Sequence, residues 1–147
     1  MVEHSDQSCV FCGIVAGVLP SRKVHEDERV LAFMDINPIS DGHLLVIPKA
    51  HARDLHDVPA DDLAACAVVA QQLAGLVVER LGAEGVNLLN CTGEAAFQSV
   101  FHVHLHVIPR YADDAERDRL GQQWVPQVVP GDPDRIAEIA ALLGGAG

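Results

Sequence analysis

Hydrophobic and polar residues alternate in several short runs along the chain, and alternation is the period of a β-strand because successive side chains point to opposite faces. Alternating or apolar runs predict five strands, at residues 23–26, 29–35, 42–48, 85–91 and 100–109. A tight turn at Asp27 and Glu28 joins the first two. The third run is almost wholly apolar, which predicts a strand near the centre of a sheet.

Between the third and fourth runs, apolar residues recur at three- and four-residue spacing and predict a long helix from about residue 57 to residue 81. Pro59 suits its first turn and Gly82 supplies its stop. Shorter helices are predicted at residues 8–17 and 133–143. We therefore expect an α+β domain, with a five-stranded antiparallel sheet, a long helix and short terminal helices.

Composition and charge narrow the class of protein. The chain has 147 residues and no Gly/Ser-rich linker, which suits a single domain. Its net charge of −11 argues against a surface that coats nucleic acid, because such binding depends on clustered Lys and Arg. The longest apolar stretch, Leu63 to Val78, is interrupted by two glutamines and is shorter than a membrane span. We expect neither nucleic acid nor a membrane as a partner.

The N-terminus and the cysteine content suggest a location. The first six residues are polar and resemble no secretory signal. Four cysteines without a dense framework fit a reducing cytosol better than a disulfide scaffold. We therefore expect a cytoplasmic protein.

Three histidines alternate with aliphatic residues in the last predicted strand, so imidazoles would line one face and apolar side chains the other. His102 and His106 would lie roughly 13 Å apart along an extended strand, too far to share one small metal ion unless the strand bends. The outer two histidines must therefore have different roles. A metal-binding strand edge, or a strand face exposed to solvent, remains an alternative explanation of the three histidines.

Cys9 and Cys12 open the first predicted helix at a Cys-x-x-Cys spacing. The spacing alone fits two small core residues, a redox pair or half of a zinc site. A redox pair would need a preceding strand in a βαβ unit, and none is predicted there. Two thiolates with the imidazoles of His51 and His102 would complete a tetrahedral zinc site. We expect a structural zinc and no catalytic cofactor, with packed free thiols as the alternative.

The segment from Gln98 to Ile108 contains His-x-His-x-His followed by two apolar residues, and it resembles the signature of the histidine triad (HIT) family of nucleotide-binding hydrolases and transferases. Earlier segments are similar to the first half of the family pattern: Asp35–Pro38, Gly42–Lys49 and His51. The resemblance covers about residues 12–111 and points to the Hint-type bacterial branch. It implies one HIT domain over residues 1–147, with a core at about 9–111 and a C-terminal extension at 112–147.

The same resemblance implies the roles of individual residues. His104 would be the nucleophile, forming a covalent nucleotidyl-histidine, and His106 a donor beside the phosphate. Asp35 would hold the ribose hydroxyls, although an Asp beside a turn is ordinarily a turn cap. The remaining nucleotide-binding positions are Ile36, His43, Asn90, Gln98 and Ser99. Several similar bacterial proteins carry a zinc at positions matching Cys9, Cys12, His51 and His102.

The function implied by the resemblance is hydrolysis of a purine nucleoside phosphoramidate, such as AMP linked to an amine, by a homodimer with its long helix as a candidate contact surface. A second enzyme hypothesis is cleavage of a dinucleoside polyphosphate. Two alternatives come from other classes: a nucleotide-binding regulator without turnover, and a zinc module in which every histidine binds metal. The chain has no glycine-rich Walker loop, and a mechanism based on histidines does not need one.

Phe97 departs from the family pattern, in which glycine commonly stands before the Gln-x-Val. A glycine can take a positive φ or let the backbone approach a ligand, and a phenylalanine does neither cheaply. The leaving-group side of the pocket is therefore expected to differ in shape. Trp124, the only tryptophan, is expected to pack internally or to line the pocket of a neighbouring subunit.

Overall fold

The computed structural model describes residues 5–121 and 129–144. The alternating runs form strands and the three- and four-residue periodicity forms helices, in the following order: α1 (Val10–Val15), β1 (Lys23–Glu26), β2 (Val30–Met34), β3 (Leu44–Pro48), α2 (Ala60–Leu81), β4 (Gly85–Leu89), β5 (Leu105–Arg110) and α3 (Pro133–Leu142). A 3-10 turn at Glu94–Ala96 lies between β4 and β5. The strands form an antiparallel sheet in the order β1-β2-β3-β5-β4. The predicted α+β fold is confirmed, with β3 at the centre.

Both faces of the sheet are buried at its centre, and this explains the continuous apolar sequence of β3. Alternate sheet residues belong to the core beneath α2, among them Val30, Ala32, Leu44, Val46, Leu105 and Val107. The intervening residues pack with α1 on the other face, namely Leu31, Phe33, Leu45 and Ile47. A strand covered on both faces needs apolar side chains at every position, since neither face meets water. The second core fixes α1 against the sheet.

Helix α2 begins at Ala60, later than the position near residue 57 that the sequence suggested. Pro59 is its N-cap, and Gly82 ends it in the left-handed conformation with φ of 71°. The helix has 22 residues and a mean hydropathy of 1.4 in its most apolar window, so by length and composition it could cross a membrane. The helix extends at both ends beyond the apolar stretch from Leu63 to Val78, which by itself is shorter than a membrane span. Its buried side chains pack on β2, β3 and β5, so one face of the helix belongs to the core.

Strand β5 begins only at Leu105, and not at residue 100 as predicted. Residues 102–104 precede the sheet ladder, but the predicted alternation of sides continues through them. Val103 packs with Ala52 and Val58, and its N–H donates to the Ala52 carbonyl at 2.8 Å. This contact directs the neighbouring imidazoles away from that core.

The C-terminal extension is only partly described. Helix α3 matches the predicted helix, with Asp132 as its N-cap, but none of its residues is buried. Trp124 lies outside the described residues, so both suggestions for its role stay predictions.

Candidate active site and metal centre

The side chains of Cys9, Cys12, His51 and His102 meet in one cluster although they are far apart in the chain. The Nδ1 atom of His102 lies 3.5 Å from Cys9 Sγ and 3.6 Å from Cys12 Sγ. The Nδ1 atom of His51 lies 3.3 Å from Cys12 Sγ and 3.3 Å from His102 Nδ1. Helix α1 supplies the thiols, because Cys9 is its N-cap and Cys12 lies in its first turn.

Three of these four distances match the edges of a tetrahedral zinc site, and the fourth, between His51 Nδ1 and Cys12 Sγ, is slightly shorter. Bonds of roughly 2.3 Å to sulfur and 2.0–2.1 Å to nitrogen, at tetrahedral angles, separate two nitrogens by about 3.3–3.4 Å and a sulfur from a nitrogen by about 3.5–3.6 Å. His102 Nε2 lies 2.8 Å from the Pro48 carbonyl oxygen, so its proton belongs on Nε2 and Nδ1 offers a lone pair to a metal. Burial raises the pKa of the Cys12 thiol to about 11, and a bound cation would favour the thiolate. The donor set therefore fits zinc.

A cavity of about 500 Å³ lies beside the metal cluster, on the α1 side of the sheet. This volume suits a small-molecule ligand. His104 and His106 line it together with Ser99, while Asp35 and Ile36 line it beyond the end of β2. Most of its remaining wall is apolar and comes from α1, from the segment after α1 and from the sheet, including Val10, Phe11, Ile14, Leu19, Pro20 and Phe33. Polar groups are thus grouped within a largely apolar pocket.

The ring of His104 is held in one tautomer. Its Nδ1 lies 2.8 Å from the carbonyl oxygen of His102, which can only accept a hydrogen bond, so the proton is on Nδ1. The Nε2 atom of the neutral ring consequently carries a lone pair. The edge contact with Phe11, at a centroid distance of 5.3 Å, orients the ring further. His104 has the geometry of a nucleophile with a fixed bare nitrogen.

The ring of His106 is held in the opposite tautomer through His43. The backbone N–H of Ile39 donates to His43 Nδ1 at 3.0 Å, so the proton of neutral His43 is on Nε2. That proton is directed to His106 Nδ1, 2.9 Å away, with an oxygen of Asp35 at 3.4 Å. His106 then carries its own proton on Nε2. His104 and His106 are therefore an acceptor and a donor side by side, with ring centroids 4.9 Å apart.

Asp35, His43 and His106 also bring potential metal-binding atoms within 4.8 Å of one another. The hydrogen bond from Ile39 leaves neutral His43 with a proton, and not a lone pair, on the nitrogen that faces the other two residues. This group is consequently suited to hydrogen bonding and not to holding a metal ion. His43 is 1% exposed, and its ring contacts His106 at the site.

Burial keeps the imidazoles of the site neutral. Desolvation lowers the pKa of His106 to about 4, with further lowering by the nearby His104 and His43. Desolvation also lowers the pKa of His104 and of His43 below the ordinary value of 6.5. A buried ring resists a positive charge, so at neutral pH His104 retains its lone pair.

We expect the His106 ring to stay uncharged until the pH falls to about 4. Between the ordinary value of 6.5 and this pKa, the unfolded chain binds more protons than the folded one, so this residue makes the protein less stable as the pH falls through that range. NMR titration of the ring carbons, assigned with a His106→Asn variant, measures the midpoint. A midpoint near 6.5 would contradict the burial described above.

Two of the nucleotide-binding positions expected from the sequence, Asn90 and Gln98, hold the site without lining the cavity. Asn90 donates to the carbonyl oxygen of His104 at 3.0 Å. Gln98 is 5% exposed; it accepts from the Gly93 N–H and donates to the carbonyls of Arg53 and Val100. Asp35 lines the cavity and also caps its turn, accepting from the Asn37 N–H at 2.8 Å. The structure thus places a turn-capping role and a pocket position on the same carboxylate.

Phe97 occupies the left-handed region with φ of 69°, at the end of the 3-10 turn. A phenylalanine therefore adopts the backbone conformation for which glycine is favoured, at a cost of roughly 1–2 kcal/mol. Its side chain is 89% exposed. The backbone conformation that a glycine would allow is therefore kept. The buried amide of Gln98 holds this loop, because it accepts from the Gly93 N–H and donates to the Arg53 carbonyl.

The wall formed by α1 and residues 19–21 was not assigned to the site from the sequence. The sequence predicted only a helix at residues 8–17, and no pattern marked Leu19 or Ser21. The missing information is tertiary, because α1 reaches the cavity only by packing on the far face of the sheet.

The chain is similar to several known proteins. The family model described as the HIT domain matches residues 16–113. Protein hit of Bacillus subtilis is 40% identical over 141 residues, covering 95% of this chain and 94% of that protein. Adenylylsulfatase HINT3 of Arabidopsis thaliana is 41% identical over 112 residues, covering 76% of this chain and 55% of that protein. The crystal structure of a zinc-bound histidine triad family protein from Mycobacterium smegmatis has a TM-score of 0.71 and 40% identity, covering 93% of this chain and 96% of that one.

Proposed function

This chain belongs to the histidine triad family, and from that premise we propose that it is a nucleotide hydrolase of the purine nucleoside phosphoramidase type, which cleaves AMP linked to an amine. The observation that carries the proposal is the pair of fixed tautomers at His104 and His106. A bare nitrogen and a donor N–H, next to each other on a cavity wall, are the two groups that nucleophilic displacement at phosphorus requires.

In the proposed reaction, Nε2 of His104 bonds to the phosphorus of the phosphoramidate as the bond from phosphorus to the amine breaks. The leaving nitrogen takes up a proton from a water molecule and departs as the amine, while the Nε2–H of His106 hydrogen-bonds that nitrogen or a phosphate oxygen as charge develops there. The hydroxyl of that water then displaces His104 from phosphorus, which releases AMP and restores the neutral ring. The His102 carbonyl keeps the imidazole oriented in both steps, because it accepts the Nδ1–H throughout.

The rest of the cavity is suited to a nucleoside. The Asp35 carboxylate can accept hydrogen bonds from a ribose diol. Asp35 lies at the end of β2, next to the exposed Ile36 and the apolar cavity wall. These apolar surfaces are suited to contact a flat nucleotide base. We assign the zinc cluster a structural role: it ties α1, which forms part of that wall, to the chain around His102. No step of the reaction uses the metal.

We further propose a cytoplasmic homodimer. The outer side of α2 leaves Val68 and Val78 about half exposed, and on β4 Leu88 is exposed as well. Strand β4 is an edge of the sheet, with backbone groups available for pairing. An apolar helix face beside an open sheet edge is a combination that a second copy could cover.

A comparison of substrates tests the reaction class. We expect kcat/KM for an AMP phosphoramidate of a simple amine to exceed that for diadenosine polyphosphates by at least about tenfold, because the donor beside His104 is a single neutral imidazole suited to a small leaving group. Release of amine and of AMP is measured by chromatography.

Each other outcome identifies a different function. Faster turnover of diadenosine polyphosphates would favour the second enzyme hypothesis. AMP binding without turnover of either class would favour the nucleotide-binding regulator. Adenylyl sulfate belongs in the same panel, because a relative bears the name adenylylsulfatase.

A further inference from the structure

One hydroxyl on the cavity wall has no partner. Among residues 5–121 and 129–144, two buried side-chain polar atoms make no hydrogen bond, and these are Ser21 Oγ and Ser40 Oγ. Ser21 lines the 500 Å³ cavity, whereas Ser40 lines none of the cavities near the site. A buried hydroxyl without a partner is destabilising and uncommon in folded proteins. Ser21 therefore calls for a ligand that completes its hydrogen bonding.

The position of Ser21 follows from the sheet. The Met34 N–H donates to the Arg22 carbonyl at 2.9 Å and continues the pairing of β1 with β2 beyond Lys23. Ser21 thus lies at the end of the first strand, beside the point where Asp35 follows β2. Both residues line the same cavity.

The surroundings of Ser21 are apolar. Leu19 and Pro20 precede it on the cavity wall, and Phe11, Ile14 and Phe33 complete that side. A single polar group in an apolar slot fixes the orientation of a flat ligand more than it adds to affinity. Serine has three staggered side-chain rotamers, and no hydrogen bond holds the present one, so its hydroxyl can turn towards a ligand.

We propose that Ser21 is a nucleotide-binding residue that donates a hydrogen bond to N3 of the purine base; this deepens the proposed function and rests on it. With the phosphate at His104 and the ribose at Asp35, the base extends towards Ser21. The edge of a base nearest the ribose is its sugar edge, where a purine presents the N3 acceptor. The hydroxyl orients the base without selecting adenine over guanine, because both carry this acceptor.

A double-mutant cycle tests the contact. AMP and 3-deaza-AMP, in which a C–H replaces N3, are titrated by calorimetry into the full chain, the Ser21→Ala variant and the Ser40→Ala variant. We expect loss of N3 to weaken binding to the unmodified chain about fivefold to tenfold, as for one neutral hydrogen bond. Ser21→Ala should bind the two nucleotides equally. Ser40→Ala, which removes the other unpartnered hydroxyl, should discriminate between them as the unmodified chain does.

The opposite results are equally distinct. If Ser21→Ala still binds AMP more tightly than 3-deaza-AMP, the assignment to N3 is overturned. The assignment also fails if Ser21→Ala weakens the binding of 3-deaza-AMP as much as that of AMP but leaves the binding of 2′-deoxy-AMP unchanged. If no variant responds to the loss of N3, Ser21 is satisfied by water and the assignment also fails. Absence of AMP binding to the unmodified chain would instead overturn the proposed nucleotide function, and the Ser21 contact with it.

Discussion

Replacing His104 by asparagine is expected to lower kcat for an AMP phosphoramidate by at least about 10³-fold, because a covalent route is lost together with its nucleophile. AMP should still bind within about threefold of its original affinity, since most of the contacts that the cavity offers come from other residues. Steady-state kinetics and calorimetry give the two values. Mass spectrometry after a brief acid quench should find an adenylyl group on His104 of the unmodified chain.

His56 provides the matched control. It is an exposed histidine outside the cavity lining, so His56→Asn should leave kcat unchanged. Retained AMP binding by His104→Asn distinguishes a chemical defect from misfolding. Normal turnover without any adenylylated histidine would contradict the covalent mechanism and favour direct attack by water.

Replacing Cys12 by serine is expected to remove a zinc ion and to lower Tm by about 10 °C or more. Loss of a structural metal costs several kcal/mol, and each kcal/mol corresponds to roughly 2–4 °C in a protein of this size. The effect should be large because Cys12 and His102 join α1 to the chain beside His104. Metal analysis of the unmodified chain should give about one zinc per chain, and calorimetry gives Tm.

Cys91→Ser is the control for this experiment, since Cys91 is a partly buried free thiol outside the cluster. It should keep both the zinc and the original Tm. Should Cys12→Ser fail to fold, chelation of the unmodified chain and return of zinc supply the same comparison. A chain without zinc, whose Tm is unaffected by chelator, would contradict the metal centre. More than about one zinc per chain would favour the module in which all histidines bind metal.

The dependence of His104 and His106 on their hydrogen-bond partners has a general consequence. Each ring receives its tautomer from a backbone group: directly from the His102 carbonyl for His104, and through His43 from the Ile39 N–H for His106. Side-chain substitutions remove neither backbone group, but replacing His43 would break the connection between Ile39 and His106. The path of the chain therefore determines which ring nitrogen of His104 and of His106 carries the proton.

Local patterns in the sequence determined the elements and the family. The period of two in the strands and of three to four in α2 reflects which side chains neighbour one another along the backbone, and such neighbours are visible without a structure. The alternation of His102, His104 and His106 with aliphatic residues also put the imidazoles on one side. The ends of elements were less accurate, since the start of β5 depends on pairing with β3 and β4.

Only the tertiary structure determined which ring nitrogens carry protons and which side chains line the cavity. His43 reaches His106 across 63 positions of sequence, and that contact buries both rings and assigns their protons. The positive φ of Phe97 and the cavity position of Ser21 likewise depend on segments that pack from elsewhere. The sequence specified which residue types were available and how they alternate, because these depend on neighbours in the chain. Protonation, tautomer and pocket shape depend on burial and on distant hydrogen-bond partners, which exist only once the chain has folded.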